Sequence, residues 1–573
     1  MPDINFNRYL LVFLFWFAAF NSAVSQERFE NDTSAAFKYI RERGEVFFSF
    51  EAAPSEVRRM SRIISIDNYR DGMARAYACS AGFEAFLAES LEFTVYSPPG
   101  EWHREKPSVK GTWDYYPSYS EYAGMMRSWA EEYPHICEYF DAGDTAEGRK
   151  ILFLRITGDK PAGQPKPRFM YSSTMHGDET TGFVLMLRLI EYLLESYPAD
   201  PQVERLMDNL EIWINPLANP DGSYFGGDGN DIVSPKRFNA NNVDLNRDFP
   251  EAGHPEPPAG GREAETIAMM ELMGSGQFIL SANIHDGAEV MNYPWDFREE
   301  RHADDRWFEY ICREYADTAQ QNSPPNYMTF LGGVTNGYDW YSISGGRQDY
   351  VTWYARGREI TMEISDIKHP PPGMLPDYWE YNRRSLLNYM EQAMFGVRGQ
   401  VTDMATGEPV RARVEMLSHD AVYSRVYSDP STGWYFRLIE QGFHDLLFSA
   451  DGYISDTVSV QVRNRETERI DVSLVPGYTL SPGPEDGDDR SHRIRYSPER
   501  EEIIVSMNIE LPSSVSIFLY DSSGRKIRVL HGGMVREGYA RLSFGTQGLK
   551  PGIYIIVVDC GRNVVSRKIL IPG

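Results

Sequence analysis

The segment from about residue 111 to residue 396 alternates short apolar runs with amphipathic stretches. The short runs predict β-strands because they are brief, apolar and bounded by turn residues. Residues 182–195 are apolar on nearly every face, which predicts a buried helix. Strands that alternate with helices indicate an α/β domain, in which a mixed sheet carries helices on both faces. The strands are predicted at residues 151–156, 169–173, 211–215, 278–284 and 359–364.

Segments with a different pattern flank this domain. The segment before it mixes strand-like and helical runs and predicts a small α+β domain. The two segments after it contain only short strands and turns, which predict a small β-sandwich and a further all-β domain. A polar stretch rich in Pro, Gly and Asp predicts the linker between those two. The predicted boundaries are 26–110 for the N-terminal domain, 111–396 for the α/β domain, 397–476 for the sandwich, 477–495 for the linker and 496–573 for the last domain.

The N-terminus has the pattern of an export signal. Arg8 precedes the apolar run 9–20, and the small residues Ala23 and Ser25 follow where a signal peptidase cuts. The run is shorter than the ~20 apolar residues that span a bilayer comfortably. We therefore predict that residues 1–25 are a signal peptide and that the mature chain lies outside the cytoplasm. An uncleaved membrane anchor is the alternative.

Composition and charge narrow the choice of function. A chain of 573 residues is too long for one core, and 42% hydrophobic residues are typical of packed globular domains. The formal net charge of −26 argues against a nucleic-acid partner, because a phosphate backbone would be repelled. The four cysteines are scattered and form no CxxC pair, so neither a disulfide framework nor a thiolate metal site is indicated.

Three residues with metal-binding side chains stand at predicted strand ends. His176 and Glu179 lie on a turn between the strand 169–173 and the buried helix, and His285 follows the strand 278–284. Taken singly, each has an ordinary structural explanation as a turn residue or a core histidine. Together, two histidines and one glutamate form the three-ligand set of an open catalytic zinc site. We therefore predict one Zn²⁺ held by these three residues.

Six short motifs share the α/β domain with these residues. They are 176–179 (HGDE), 219–222 (NPDG), 237–250 (RFNANNVDLNRDFP), 281–285 (SANIH), 336–350 (NGYDWYSISGGRQDY) and 359–365 (EITMEIS). In order, spacing and placement, these motifs resemble the zinc metallocarboxypeptidase family, specifically its regulatory branch of carboxypeptidases E, M, N and D. The resemblance covers residues 115–395. It implies an enzyme that removes the C-terminal residue from peptides or proteins.

The resemblance implies roles for four residues that act on the scissile bond and the substrate terminus. Glu363 would be the general base, and Arg237 would stabilise the oxyanion formed from the scissile carbonyl. Asn246 and Arg247 would hold the terminal carboxylate of the substrate, because the arginine fork matches a carboxylate. Such a clamp would restrict cleavage to the last residue.

Further residues are expected around the substrate and the metal. Tyr341 would cap the bound substrate as a mobile tyrosine, with a packed core tyrosine as the alternative. Asp296, with Gln348 beside it, would line the side-chain pocket and favour a C-terminal Lys or Arg by charge. Asp244 would orient His176.

Two residues depart from the family pattern. Asp286 follows His285 where the family usually has Gly or Ser, and Arg347 replaces the usual apolar residue beside Gln348. Both are expected near the pocket, so we expect them to disturb side-chain specificity more than the chemistry. An arginine beside the pocket would oppose a basic substrate side chain.

The flanking domains carry their own resemblances. Residues 397–476 resemble the transthyretin-like domain that follows the catalytic domain in the regulatory branch. Residues 496–573 resemble the C-terminal sorting domain of the type IX secretion system, on the segments 515–520, 521–525, 549–554 and 568–571. That resemblance implies the secretion machinery as a partner and then release or attachment at the cell surface. The N-terminal domain carries no motif, and it is either an inhibitory pro-segment or a spacer.

Two other functions stay open at this point. One is a zinc amidase or peptidase that acts on cell-wall peptides, and the run 237–250 with its carboxylate clamp counts against it. The other is a catalytically silent binding module. Every expected catalytic position holds a competent residue type, which counts against this second function.

Overall fold

The structure is a computed structural model, and the chain divides into two compact units between Met394 and Phe395. The predicted signal peptide lies outside the described residues. The described residues are 28–101, 113–160, 163–255, 257, 260–275, 277–476, 492–497, 500–509, 513–560 and 564–571.

The N-terminal domain is a five-stranded antiparallel sheet packed against three helices. The strand order β1-β5-β2-β4-β3 leaves β3 at an edge. The first helix was not predicted from the sequence; Asp32 caps its N-terminus and Gly44 ends it in the left-handed conformation. The elements are β1 Arg28–Glu30, α1 Thr33–Arg43, β2 Val46–Glu51, α2 Pro54–Met60, β3 Ser65–Arg70, β4 Met73–Ala78, α3 Ser80–Leu87 and β5 Thr94–Tyr96.

An eight-stranded mixed sheet forms the centre of the α/β domain. Its order is β12-β11-β13-β10-β8-β9-β7-β6, and the four strands β13, β10, β8 and β9 run parallel. All five strands predicted from the sequence are present. The strands are β6 Cys137–Asp144, β7 Lys150–Ile156, β8 Arg168–Ser173, β9 Glu211–Asn215, β10 Phe278–His285, β11 Ala288–Tyr293, β12 Val334–Asn336 and β13 Arg358–Ser365.

Helices pack on both faces of this sheet, as predicted. The rings of Phe169 and Tyr171 contact Tyr389 of the last helix, whereas Met170 packs with Met269 of another helix. Alternate residues of a strand point to opposite faces, so these two helices lie on opposite sides. The helices are α4 Tyr119–Glu132, α5 Thr181–Ser196, α6 Pro201–Asn209, α7 Pro220–Ser223, α8 Ala264–Ser275, α9 Asp305–Gln321, α10 Gly337–Trp340, α11 Arg347–Tyr350 and α12 Leu375–Gln392.

Helix α5 confirms the predicted buried helix. Nearly all of its apolar side chains are buried, on every face of the helix. It starts only eight residues after the end of β8, so the intervening loop is held at both ends by the core. Among the described residues, no helix combines the length and the apolar character needed to cross a membrane.

The described residues of the second unit form four sheets. Two of them, β17-β14-β22-β19 with β21 beside β14 and β16-β15-β18-β20, enclose one core and form the predicted small sandwich. The other two, β23-β24-β27 and β26-β25-β28-β29, enclose a second core. Strand β23 begins at His492, inside the range predicted as a linker, and residues 477–491 lie outside the described residues. The strands are β14 Gly396–Asp403, β15 Arg413–Met416, β16 Val426–Tyr427, β17 Trp434–Arg437, β18 Gly442–Ser449, β19 Tyr453–Ile454, β20 Asp456–Val462, β21 Thr467–Arg469, β22 Val472–Pro476, β23 His492–Ser497, β24 Glu502–Ile509, β25 Ser513–Asp521, β26 Lys526–Val535, β27 Gly538–Gly545, β28 Gly552–Asp559 and β29 Val564–Ile571.

Candidate active site

Parallel strands bring the three predicted metal ligands to one edge of the sheet. The loop after β8 carries His176 and Glu179, and β10 ends at His285. Because β8 and β10 are adjacent and parallel, their carboxyl ends meet at the same edge. One donor atom from each of the three residues lies within 4.8 Å of the other two.

The donor atoms of these residues fit a zinc ion. Nδ1 of His176 lies 2.9 Å from Oε1 of Glu179, and Nδ1 of His285 lies 2.7 Å from its Oε2. The two Nδ1 atoms are 3.1 Å apart. A tetrahedral ion with bonds of about 2.1 Å separates its ligands by about 3.4 Å, close to this spacing. Two imidazoles and one carboxylate are also the donor types that zinc prefers.

The far nitrogens of both imidazoles have polar neighbours. Nε2 of His176 lies 3.1 Å from Oδ1 of Asp244, and Nε2 of His285 lies 2.7 Å from Nδ2 of the Asn283 side chain. A polar neighbour on the far nitrogen fixes the orientation of each ring, and the Asp244 carboxylate, as an acceptor, favours the His176 tautomer whose Nδ1 lone pair faces the ligand cluster. Oδ1 of Asp244 thus lies against His176, the residue that it is predicted to orient.

The ligand turn depends on the glycine between His176 and Glu179. A Cβ atom on Gly177 would lie 2.3 Å from the carbonyl carbon of Gly222 and 2.5 Å from the amide nitrogen of Ser223. Backbone atoms at these distances cannot move aside easily, so a side chain at position 177 would displace the turn.

Glu363 lies beside the ligands because β13 is the other neighbour of β10. Its register partner on β10 is His285, and only 7% of its surface is exposed. In the described part of the chain, Oε2 of Glu363 has no hydrogen-bond partner. Burial, with Glu179 nearby, raises the pKa of this carboxyl well above its usual value. A buried carboxyl with a raised pKa is suited to accept and return a proton.

Arg237 is held next to the ligand cluster by carboxylates. Its Nε donates to Oδ2 of Asp244 at 3.1 Å, and its Nη1 donates to Oε1 of Glu179 at 3.2 Å and to Oδ1 of Asp67 at 2.9 Å. Although burial alone would raise it, the guanidinium holds the pKa of Asp244 well below its usual value. The arrangement keeps a fixed positive charge beside the proposed metal.

The residues expected to bind the substrate carboxylate lie on one short helical turn. Asn246 and Arg247 belong to the 3-10 helix Leu245–Arg247. The backbone amide of Arg347 donates to Oδ1 of Asn246 at 2.9 Å. Asn246 and Arg247 line the same cavity as the three ligands. The cavity is lined by Asp67, His176, Glu179, Arg237, Asn246, Arg247, His285, Asn292, Asp296, Trp340, Tyr341, Ile343, Thr361 and Glu363.

A buried carboxylate marks one part of the cavity. Oδ1 of Asp296 accepts hydrogen bonds from Gln348 at 3.0 Å and from Asn292 at 3.2 Å, and the residue is 4% exposed. Burial raises the pKa of Asp296 to about 6. A Cβ atom on Gly337 would lie 1.7 Å from Oδ1 of Asp296, so this carboxylate fits only opposite a glycine. The amide nitrogen of Asp296 is held by Asp349 at 3.1 Å.

The side chains of the two residues that depart from the family pattern, Asp286 and Arg347, turn away from the cavity. Oδ2 of Asp286 accepts a 2.9 Å hydrogen bond from the amide of Thr181 at the start of α5. Arg347 forms an interior ion pair with Glu359, 3.0 Å from Nη2 to Oε2, and both residues are at most 1% exposed. Neither Asp286 nor Arg347 lines the cavity. Both residues are close to the site through their backbone, since the amide of Arg347 donates to Oδ1 of Asn246 at 2.9 Å and that of Asp286 to Oε2 of Glu179 at 3.3 Å. Each side chain, however, turns to a buried partner of its own.

Sequence reasoning missed two charged residues of the site. Nζ of Lys368 lies 2.6 Å from Oε1 of Glu179 and 2.7 Å from Oδ1 of Asp67. Lys368 stands five residues after Glu363, close enough in sequence to have been considered. Asp67 belongs to the N-terminal domain, and no pattern in that domain points to the site.

The site and the fold together define a class: an α/β protein that holds two histidines and a glutamate at the carboxyl edge of a mixed sheet. The model of the zinc carboxypeptidase family matches residues 122–385, and that of the secretion system C-terminal sorting domain matches residues 497–572. Carboxypeptidase M of Mus musculus is 34% identical over 346 residues, which cover 58% of this chain and 77% of that protein.

Two further proteins are similar to this chain. Carboxypeptidase D of Homo sapiens is 35% identical over 376 residues, which cover 62% of this chain but only 26% of that protein. A crystal structure of carboxypeptidase A from Helicoverpa armigera covers 61% of this chain and 97% of its own, at 19% identity and a TM-score of 0.47. The chain belongs to the zinc carboxypeptidase family, and its relatives place it in the branch of carboxypeptidases D and M.

Proposed function

We propose that this chain is an exported zinc carboxypeptidase that releases the C-terminal residue of peptides or proteins. The observation that carries the proposal is the convergence of His176, Glu179 and His285 at one sheet edge, with Arg237 and Glu363 beside them. This arrangement combines a metal-binding donor set, a proton acceptor and a fixed positive charge within one cavity.

The residues around the metal site divide the chemistry between them. A bound zinc ion supplies Lewis-acid activation of a water molecule and of the scissile carbonyl. Glu363 takes a proton from the attacking water and returns it to the amine that leaves. The Arg237 guanidinium donates to the carbonyl oxygen as negative charge develops there. Asp244 keeps both His176 and Arg237 in place through its two oxygens.

Recognition of a free terminus rests on Asn246 and Arg247. Both project into the cavity that contains the ligands, and an arginine and an amide together satisfy the two oxygens of a carboxylate. This clamp supports a carboxypeptidase over an enzyme that cuts internal bonds. Tyr341 lines the same cavity and would close over the bound terminus.

A preference for C-terminal Lys or Arg is the finer part of the proposal. Asp296 is the buried acid of the cavity, and Gln348 and Asn292 hold its Oδ1. A carboxylate held in this way is preorganised to pair with a substrate cation. The ion pair of Arg347 with Glu359 neutralises the positive charge that would have opposed a basic side chain of the substrate.

Export completes the proposal. The match of residues 497–572 to the secretion system C-terminal sorting domain supports passage through a secretion machinery, followed by release or attachment at the cell surface. The predicted signal peptide at residues 1–25 would direct the first step.

The activity is tested with purified mature protein and hexapeptides that differ only in a C-terminal Arg, Lys, Phe or Glu. We expect release of the last residue, with loss of activity and of bound zinc on chelation and recovery on zinc addition. The Asp67→Asn variant is assayed in parallel, because the Asp67 carboxylate accepts from Nη1 of Arg237, the residue proposed to stabilise the oxyanion. The variant removes this negative charge from the proposed oxyanion donor. If neither protein releases a terminal residue although each binds one zinc ion, the enzymatic function is refuted. Cleavage of cell-wall peptides alone would favour the amidase alternative.

A further inference from the structure

The short helix α11 begins against the 3-10 helix that carries the proposed carboxylate clamp. The backbone amide of Arg347, the first residue of α11, donates to Oδ1 of Asn246 at 2.9 Å. Fixing the oxygen of a side-chain amide also fixes the direction of its Nδ2, the donor that a substrate carboxylate would accept from. The position of Arg347 therefore sets the orientation of Asn246 in the cavity.

Backbone contacts just before α11 hold it close to the clamp. The carbonyl oxygen of Gly345 accepts from the amide of Phe249 at 3.1 Å. Gly345 has a φ of +74°, and a Cβ atom on it would lie 2.4 Å from the carbonyl oxygen of Arg247. Only a glycine allows the two segments to approach this closely. Because they pack backbone to backbone, a shift of α11 would also shift the clamp.

The side chain of Arg347 runs from α11 into the interior and contacts the central strands. Its Nη2 lies 3.0 Å from Oε2 of Glu359 on β13 and 3.8 Å from Sδ of Met170 on β8. The hydroxyl of Ser281 on β10 donates to the same Oε2 at 2.6 Å. Met170, Ser281 and Glu359 are register partners across three adjacent parallel strands. One guanidinium thus ties α11 to β8 and β13 and, through Glu359, to β10.

The same three strands carry the metal-ligand candidates and the proposed base. Strand β8 leads to the turn with His176 and Glu179, β10 ends at His285, and β13 contains Glu363. Glu359 precedes Glu363 by four residues, so the two side chains lie on the same face of β13, about 13 Å apart along the strand. The ion pair therefore connects the clamp to the strands that position the metal site.

Stability alone does not explain this ion pair. Among the residues that the structure describes, Nε and Nη1 of Arg347 and Oε1 of Glu359 are buried without a hydrogen-bond partner. Buried polar atoms without partners cost free energy, and a well-packed apolar pair in the same place is often at least as stable. An apolar side chain packs without a fixed direction, whereas a hydrogen-bonded ion pair fixes both distance and direction. The geometry therefore favours a positioning role.

We propose that Arg347 is a positioning residue for substrate binding, which holds Asn246 of the carboxylate clamp in place through its ion pair with Glu359. The pair fixes where the terminal carboxylate of a peptide lies relative to the metal site. Arg347 acts through Asn246, since its own side chain points into the interior. The proposal rests on the proposed function for the identity of the clamp, and peptide binding without turnover tests it separately.

The test uses purified mature, zinc-loaded protein with Glu363→Gln, so that peptides bind without turnover. Arg347→Met and Glu359→Gln are introduced together, because this double variant removes the ion pair without leaving a buried unpaired charge. Arg347→Lys is the matched control, since an ammonium group can still pair with Glu359. Binding of two labelled hexapeptides that end in Phe, one with a C-terminal carboxylate and one with a carboxamide, is measured by fluorescence anisotropy.

We expect the protein with an intact ion pair to prefer the carboxylate peptide, and the double variant to lower that preference about tenfold, as for one hydrogen bond to a charged group. Affinity for the carboxamide peptide should stay within about twofold, because that peptide has no charge for the clamp to bind. Arg347→Lys should keep the preference within about threefold. If the double variant lost affinity for both peptides equally, or for neither, the positioning role would be overturned.

Turnover provides a second measurement, on protein in which Glu363 is intact. The double variant should raise KM for the carboxylate peptide about tenfold and change kcat less than about threefold, because the metal ligands, Arg237 and Glu363 are unaltered. A fall in kcat at constant KM would overturn the proposal. A carboxylate preference that falls in the double variant, although no protein hydrolyses the peptide, would support the positioning role and refute the enzymatic function. If no protein prefers the carboxylate, the clamp is refuted and the proposal with it.

Discussion

The carboxylate of Asp296 gives the sharpest prediction about substrate choice. In Asp296→Asn, the amide oxygen can still accept from Gln348 and Asn292, as Oδ1 does now. The other oxygen becomes an NH₂ group, so the side chain loses its negative charge. The substitution therefore removes the pairing with a substrate cation while it keeps the shape and internal hydrogen bonds of the pocket.

The expected magnitude follows from the kind of interaction that the substitution removes. A hydrogen bond to a charged group contributes about 1.5–3 kcal/mol. Since 1.4 kcal/mol corresponds to tenfold, kcat/KM for a peptide ending in Arg should fall about 10- to 150-fold. The value for a peptide ending in Phe should stay within about twofold, because that side chain makes no ionic contact. Asp339→Asn, a partly exposed acid with a 55% exposed side chain, serves as the control.

The same residue predicts a pH dependence of selectivity. Burial raises the pKa of Asp296 to about 6, so the carboxyl is mostly ionised at pH 7 and mostly protonated at pH 5. The charge that attracts a basic side chain is thus present above pH 6 and disappears as pH falls through it. We expect the ratio of kcat/KM for Arg over Phe peptides to fall about tenfold from pH 7 to pH 5, since kcat/KM reports the free enzyme.

Both measurements use paired substrates, so a general loss of activity cancels. If Asp296→Asn lowered kcat/KM equally for the Arg and Phe peptides, the residue would be structural rather than a determinant of specificity. A selectivity ratio that is flat from pH 5 to pH 7 would contradict the assignment of the charge to Asp296.

Three further changes test the architecture of the site. Glu363→Gln should lower kcat about 100- to 10,000-fold with zinc content unchanged, as measured by metal analysis, because the proton acceptor is removed. Arg347→Met should cost about 3–5 kcal/mol of unfolding free energy in denaturant titrations, because it leaves Glu359 charged and buried; adding Glu359→Gln should recover part of that loss. Gly177→Ala should lower zinc affinity at least about tenfold in chelator competition, since its Cβ would meet backbone atoms at 2.3 Å.

Each of these changes has an outcome that contradicts the reasoning. Zinc loss in Glu363→Gln would make Glu363 a metal ligand rather than the base. If the double variant at positions 347 and 359 were no more stable than Arg347→Met, the buried ion pair would not explain the cost. Gly124→Ala is the control for Gly177→Ala, because a Cβ on Gly124 of α4 has nothing within 4 Å, and that change should leave zinc binding unaltered.

The local pattern of the chain was enough to determine the elements that carry the metal site. Strands β8, β10 and β13 are short apolar runs, and a strand and a buried helix enclose the turn with His176 and Glu179. The spacing of apolar residues along the chain follows the repeat of the backbone conformation, so these elements could be predicted. The roles of single residues came from the order and spacing of the motifs, since a lone histidine and glutamate three residues apart carry little information.

Only the tertiary structure decided where several of the side chains point. Asp286 turns to the start of α5 and Arg347 to Glu359, because each has a buried partner distant in sequence. The position of β3 in the cavity, with Asp67 on Arg237, was likewise invisible in the sequence. An edge strand has the same periodicity whether it faces solvent or another domain, and only packing between the domains distinguishes the two.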